Sequence, residues 1–129
     1  MSTAPTAGGW QPQLVRAGVL PMPAADLGPD GAFAAAVDLP SNVLLLRGAA
    51  GTVLIDAGSG SFAVDWPGAT ADLVGALAAA GCAPEQVDLV VLTHLDFDHC
   101  GGCLELPRAR VAAPEGAATS GEAGEQVLE

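Results

Sequence analysis

The 129-residue sequence contains no lysine and no tyrosine, and its only cations besides histidine are Arg16, Arg47, Arg108 and Arg110. Fifteen acidic residues oppose them, for a formal net charge of −11. A surface of that sign repels phosphate backbones and anionic headgroups, which argues against nucleic acid and against a membrane as partners. Cysteine occurs three times, an odd number that does not suggest a disulfide framework. The opening MSTAPTAGGWQPQ has neither a basic segment nor an apolar one, so it does not read as a signal peptide. No apolar run attains the ~20 residues of a membrane span. The expected compartment is therefore the cytoplasm. Only 15% of residues are charged while 50% are hydrophobic, a balance that excludes disorder of the whole chain. The length suits one domain with a buried core.

What is present falls into short apolar runs separated by glycine and proline. LVRAGVL at 14–20 has strand character, and PMPAADLGPDG after it reads as an irregular loop. FAAAVDLPS is ambiguous between helix and strand. NVLLLRG and TVLIDAG, joined by a small turn, give a hairpin signal. Residues 43–46 and 53–55 are apolar without alternation, as expected of strands covered on both faces in a layered α/β fold. TADLVGALAAAGCAPEQ reads as a helix, with Thr70 as N-cap, Asp72 in the first turn, and Gly81 and Pro84 as its stop. VDLVVLT, Val87 to Thr93, is a further buried strand, and RVAA at 110–113 a short last one. PEGAATSGEAGEQVLE is polar to the end.

The chemistry concentrates at the end of the strand before residue 94. In LTHLDFDHCGG, His94, Asp96, Asp98 and His99 fall within six positions, and these are the only two histidines of the chain. Imidazole and carboxylate are the usual ligands of a divalent metal, which needs three or four of them. In an extended segment His94, Asp96 and Asp98 share parity and point one way, while His99 points elsewhere. One loop then feeds two metals side by side. Gly101 and Gly102 are expected to let the backbone turn sharply into the next element. The plain alternative is that these are ordinary loop and cap residues.

THLDFDHCGG resembles the signature of the metallo-β-lactamase superfamily, commonly TH-x-H-x-DH-x-GG. The resemblance extends upstream through NVLLLRGAAGTVLIDAGSG, with an Asp-x-Gly loop at 56–58, and through the helix and strand that precede the cluster, covering roughly residues 40–103. It implies an α/β fold, the αβ/βα metallo-β-lactamase sandwich, of which this chain carries the N-terminal half. Residues 1–13 are expected as a flexible lead and 14–129 as a partial domain. The resemblance further implies a metal-dependent hydrolase of a small-molecule ester, lactone, thioester, lactam or phosphoester. His94 would bind a first metal, and Asp98 and His99 a second. Asp98 would also orient the attacking water, and Asp56 would support the site. Zinc is the first expectation.

Two departures qualify the pattern. Position 96 is Asp where His is common, and a carboxylate there favours iron or manganese more than a nitrogen-rich site does. After Cys103 no His, Asp or Cys occurs, only Glu105, Glu115, Glu122, Glu125 and Glu129. The ligands that the second half supplies in relatives are thus absent from this sequence. The alternative reading is a non-catalytic remnant that binds metal weakly, or a homodimer in which each chain borrows ligands from the other. Cys100 and Cys103 form a Cys-x-x-Cys, open to a thiol-disulfide or a zinc-ligand role, or to service as small hydrophobes.

Overall fold

The apolar runs on either side of Ala49 and Ala50 pair with each other in the computed structural model, which describes residues 9–24, 35 and 37–114. Strand β2 (Val37–Gly48) and strand β3 (Gly51–Ile55) are antiparallel, with Gly48 opposite Gly51 at the turn. The ambiguous segment before them is strand from Val37 onward. Strand β1 (Gln11–Met22) pairs antiparallel along β2, so the last residues of the expected lead are ordered strand and the expected loop begins later. Residues 1–8, most of that loop and residues 115–129 lie outside the described residues.

Six strands form one mixed sheet in the order β4-β1-β2-β3-β5-β6. Here β4 is Thr70–Ala71, β5 is Leu89–Val91 and β6 is Arg110–Ala112. The β3, β5 and β6 strands run parallel, with Leu54 opposite Val90 and Val90 opposite Val111. Their carboxyl ends therefore open on the same edge, which is where loops in such sheets carry function.

Helix α1 (Leu73–Ala79) is the expected helix with a later start. Thr70 is taken up in β4, paired to Val19, and Asp72 is the N-cap, its carboxylate accepting from the Gly75 N–H at 3.0 Å. A carboxylate cap satisfies an orphan donor and meets the positive end of the helix dipole, and Thr70 is two residues too early to do either. Gly81 ends the helix with φ +81°, a conformation that suits glycine. The Arg47 guanidinium, from β2, donates to the Ala80 carbonyl at 2.9 Å and ties the helix end to the sheet.

One face of the sheet buries Val15, Val43, Leu45, Leu54 and Val90 against Leu73 and Leu77 of α1. The opposite face carries Leu44, Leu46, Val53 and Ile55, all half-buried, and Leu14 at 67% exposure. The expectation of two covered faces thus holds for one of them. The non-alternating sequence supplies leucine to both sides, but only one side is fully packed among the described residues.

Cys100 and Cys103 belong to this core, at 0% and 7% exposure, as does Cys82. Burial pushes the Cys100 thiol up to about 11 and Cys103 to about 12. The Cys100 thiol donates to the Leu95 carbonyl. These are the opposite of the conditions that make a thiolate, so the pair serves as small hydrophobes. No described helix is long and apolar enough to cross a membrane.

Replacement of Leu54, fully buried at the centre of the sheet, by alanine should cost about 2–5 kcal/mol in equilibrium denaturation. In the native protein all three thiols should react slowly with an alkylating reagent at about pH 8, well below their raised pKa values, and should react fully once the chain is unfolded.

Candidate metal centre

Two loops build the site, one leaving β3 and one leaving β5. The first begins at Asp56, whose φ of +64° is the single positive value at a non-glycine residue among those described. Aspartate tolerates this left-handed conformation better than branched residues do, and such backbone often marks functional positions. Its N–H donates to the Val91 carbonyl at 2.9 Å, so Asp56 continues the β3–β5 pairing by one residue. The second loop carries Thr93, His94 and Asp96, and Asp96 stands at the N-cap position of α2 (Phe97–Cys100).

The backbones of the two loops are zipped together. The Ala57 N–H donates to the His99 carbonyl at 2.8 Å, and the Gly102 N–H to the Gly58 carbonyl at 3.0 Å. A Cβ on Gly101 would collide with the Ser59 carbonyl oxygen, and one on Gly102 with that of Ala57. The two glycines are needed for close approach. They do not form the expected sharp turn: Gly101 keeps helical angles and both residues continue into the 3₁₀ turn 101–105.

This zipper positions the Asp56 carboxylate under the metal-ligand candidates. Its Oδ1 accepts from the Thr93 N–H at 2.8 Å, and its Oδ2 from the Thr93 hydroxyl at 2.7 Å. The same Oδ2 lies 3.0 Å from His99 Nδ1. His99 is thereby oriented through one ring nitrogen while the other, Nε2, faces Asp98 Oδ2 at 3.6 Å. Carboxylate support of this kind is what orients imidazole ligands in metal sites.

The strand-parity expectation fails at Phe97. The chain enters α2 there, so Asp98 and His99 are consecutive helical residues and no longer alternate. His99 consequently comes back beside His94, with ring centroids 4.8 Å apart and planes tilted by 47°. His94, Asp98 and His99 thus gather at one edge. Asp96 sits one step earlier, its carbonyl accepting from the His99 and Cys100 N–H groups. Thr93, which sequence reasoning gave no role, lies at the centre: its hydroxyl is 3.2 Å from His94 Nδ1 and 3.4 Å from His99 Nδ1. The available signal was its place between the strand and the first histidine.

The donor set has the chemistry of a divalent-metal site. Two ligand atoms on one tetrahedral metal stand about 3.4 Å apart when each bond is near 2.1 Å, close to the 3.6 Å between His99 Nε2 and Asp98 Oδ2. That pair fits one edge of a coordination shell. Among the described residues no three His, Cys, Asp or Glu side chains converge on a single point. Beside Asp98 and His99 a cavity of about 350 Å³ opens, walled opposite by Leu20, Leu39 and Pro40 with Ser41 and Asn42.

The chain matches the model of the metallo-beta-lactamase superfamily over residues 36–127. Among solved structures it is similar to AidC, a dizinc quorum-quenching lactonase, with 29% identity and TM-score 0.52 over 60% of this chain and 27% of that one. It is also similar to an AiiA variant of B. thuringiensis with N-decanoyl-L-homoserine bound at the active site (19% identity, TM-score 0.63, 78% of this chain and 46% of that one). A probable metal-dependent hydrolase from Staphylococcus aureus gives 21% identity and TM-score 0.58 over 72% and 40%. At these last two identities the likeness is one of fold. In each case the chain spans less than half the length of the solved structure it matches, as the reading of a half domain expects. No curated protein matches the sequence. The family match runs from the hairpin through both loops of the site, and on that ground the chain belongs to the metallo-beta-lactamase superfamily, a family of metal-dependent hydrolases.

Proposed function

We propose that this chain supplies the first part of a metal-dependent hydrolase site that cleaves a small ester, lactone or thioester. The observation that carries the reading is the posture of His99, held by Asp56 at Nδ1 with Nε2 turned toward the Asp98 carboxylate. His94, Asp98 and His99 would hold the metal, with Asp96 as a further carboxylate donor. Zinc suits the imidazole-rich part of the set, and Asp96 widens it toward iron or manganese. Such a metal supplies Lewis acidity, polarising a carbonyl and making water a nucleophile near neutral pH.

The protein's own residues divide the remaining work. Asp98, half-buried at the cavity edge, would accept a hydrogen bond from an attacking water and so direct its lone pair. Leu20, Leu39 and Pro40 offer an apolar wall for the substrate, while Ser41 and Asn42 offer polar groups to orient it. A neutral or modestly polar substrate fits such a wall better than a polyanion does, given the −11 net charge.

A second reading is favoured by the lack of a third converging donor among the described residues. In it this segment is a non-catalytic remnant that binds metal weakly, or needs a second chain to complete the shell. Equilibrium dialysis with zinc separates the two: tight stoichiometric binding by the chain supports the first, and weak binding supports the second.

Where hydrolysis of an ester or lactone probe is measurable, Asp98→Ala should abolish it, and unchanged activity in that variant would sink the assignment. Asp56→Asn should lower zinc affinity about 10–100-fold, because the group that orients His99 is altered while every proposed ligand stays in place.

A further inference from the structure

We infer that the Thr93 hydroxyl is a positioning group that sets the tautomer of His94 and presents its Nε2 as the free, ligating nitrogen. The argument is a count of protons. A carboxylate only accepts hydrogen bonds, and a threonine hydroxyl has one proton to donate. The 2.7 Å contact between Thr93 Oγ1 and Asp56 Oδ2 must contain that proton, since two oxygens without one would repel at this distance. Once it is given to Asp56, the hydroxyl can only accept from His94 Nδ1, 3.2 Å away. His94 must then carry its proton on Nδ1. His99 also directs Nδ1 at the same carboxylate oxygen, 3.0 Å away, and so carries a proton there, while its Nε2 faces Asp98 Oδ2 at 3.6 Å and is not fixed by this count.

The neutral His94 ring therefore exposes an unprotonated Nε2 before any ligand arrives. The backbone keeps this arrangement in place: the Thr93 N–H is bound to the other oxygen of Asp56, so the threonine cannot turn away from the carboxylate without breaking two hydrogen bonds. A serine would preserve the network, while valine would keep the shape and remove the hydroxyl.

The purpose of this device rests on the metal-site reading, but its test does not. The metal-free 129-residue chain, labelled with ¹⁵N-histidine, is examined by long-range ¹H–¹⁵N correlation at about pH 8.5. His94 is expected as the Nδ1–H form and His99 with a proton on Nδ1. Thr93→Ser should leave the spectrum unchanged. Thr93→Val should release His94 to a mixture or to the Nε2–H form while His99 keeps Nδ1–H through Asp56, and zinc affinity should fall about 10–100-fold. An Nε2–H form of His94 in the unaltered protein overturns the inference, as does a Thr93→Val spectrum identical to the original. Should zinc bind weakly to a protein whose His94 is Nδ1–H, the tautomer assignment stands and the metal-site reading is the one that fails.

Discussion

The clasp between Asp56 and the Thr93–His99 segment is the interaction on which the functional edge of this protein depends. Asp56 leaves β3 in a left-handed conformation, and its carboxylate takes three contacts from the loop beyond β5. Strands β3 and β5 are parallel neighbours, so their carboxyl ends are adjacent by construction. That adjacency lets one side chain at the end of the first strand govern the loop at the end of the second. Charge-assisted hydrogen bonds of this kind are stronger than neutral ones, and Asp56 makes them from a largely buried position, where solvent competes less.

The clasp would be loose without the backbone zipper beneath it. Two interloop hydrogen bonds and two glycines that admit carbonyl oxygens at close range hold residues 57–59 against 99–102. The same stretch buries Cys100, Cys103 and Leu106 in the core under the sheet. Chemistry and stability are thus mounted on one segment, with the polar residues of α2 facing the edge and its cysteine packed inward. The raised thiol pKa values follow from that placement, which disfavours the thiolate that redox chemistry at a Cys-x-x-Cys needs.

The sheet itself is asymmetric. One face is sealed by α1, with Leu54, Leu73, Leu77 and Val90 essentially inaccessible, while the other retains exposed Leu14 and half-buried leucine, valine and isoleucine side chains. The solved structures similar to this chain are more than twice the length that it matches. Among the described residues, the incomplete donor set and the incompletely covered face go together: the edge at which the metal candidates gather belongs to a sheet that these residues pack fully on one side only.

Much of this was legible in the residues. The hairpin, the helix ending at Gly81, the last two strands and the grouping of His94, Asp98 and His99 near the end of β5 all follow from apolar periodicity, turn chemistry and motif spacing, which act over a few residues and leave a local trace. The supporting place of Asp56 came from the resemblance of its Asp-x-Gly loop. Other features have no local trace. The N-cap falls to Asp72 because Thr70 is claimed by pairing with Val19, fifty-one positions away in the chain. His99 returns to His94 because the chain becomes helical at Phe97, and a period of 3.6 replaces the period of two on which the parity argument rested. Gly101 and Gly102 are explained by carbonyls forty-two and forty-five residues earlier. The sequence by itself determined which side chains could bind a metal and roughly where the strands lie. The tertiary structure alone decided how the two histidines are held, because that depends on a carboxylate and a hydroxyl that meet only when β3 and β5 lie side by side.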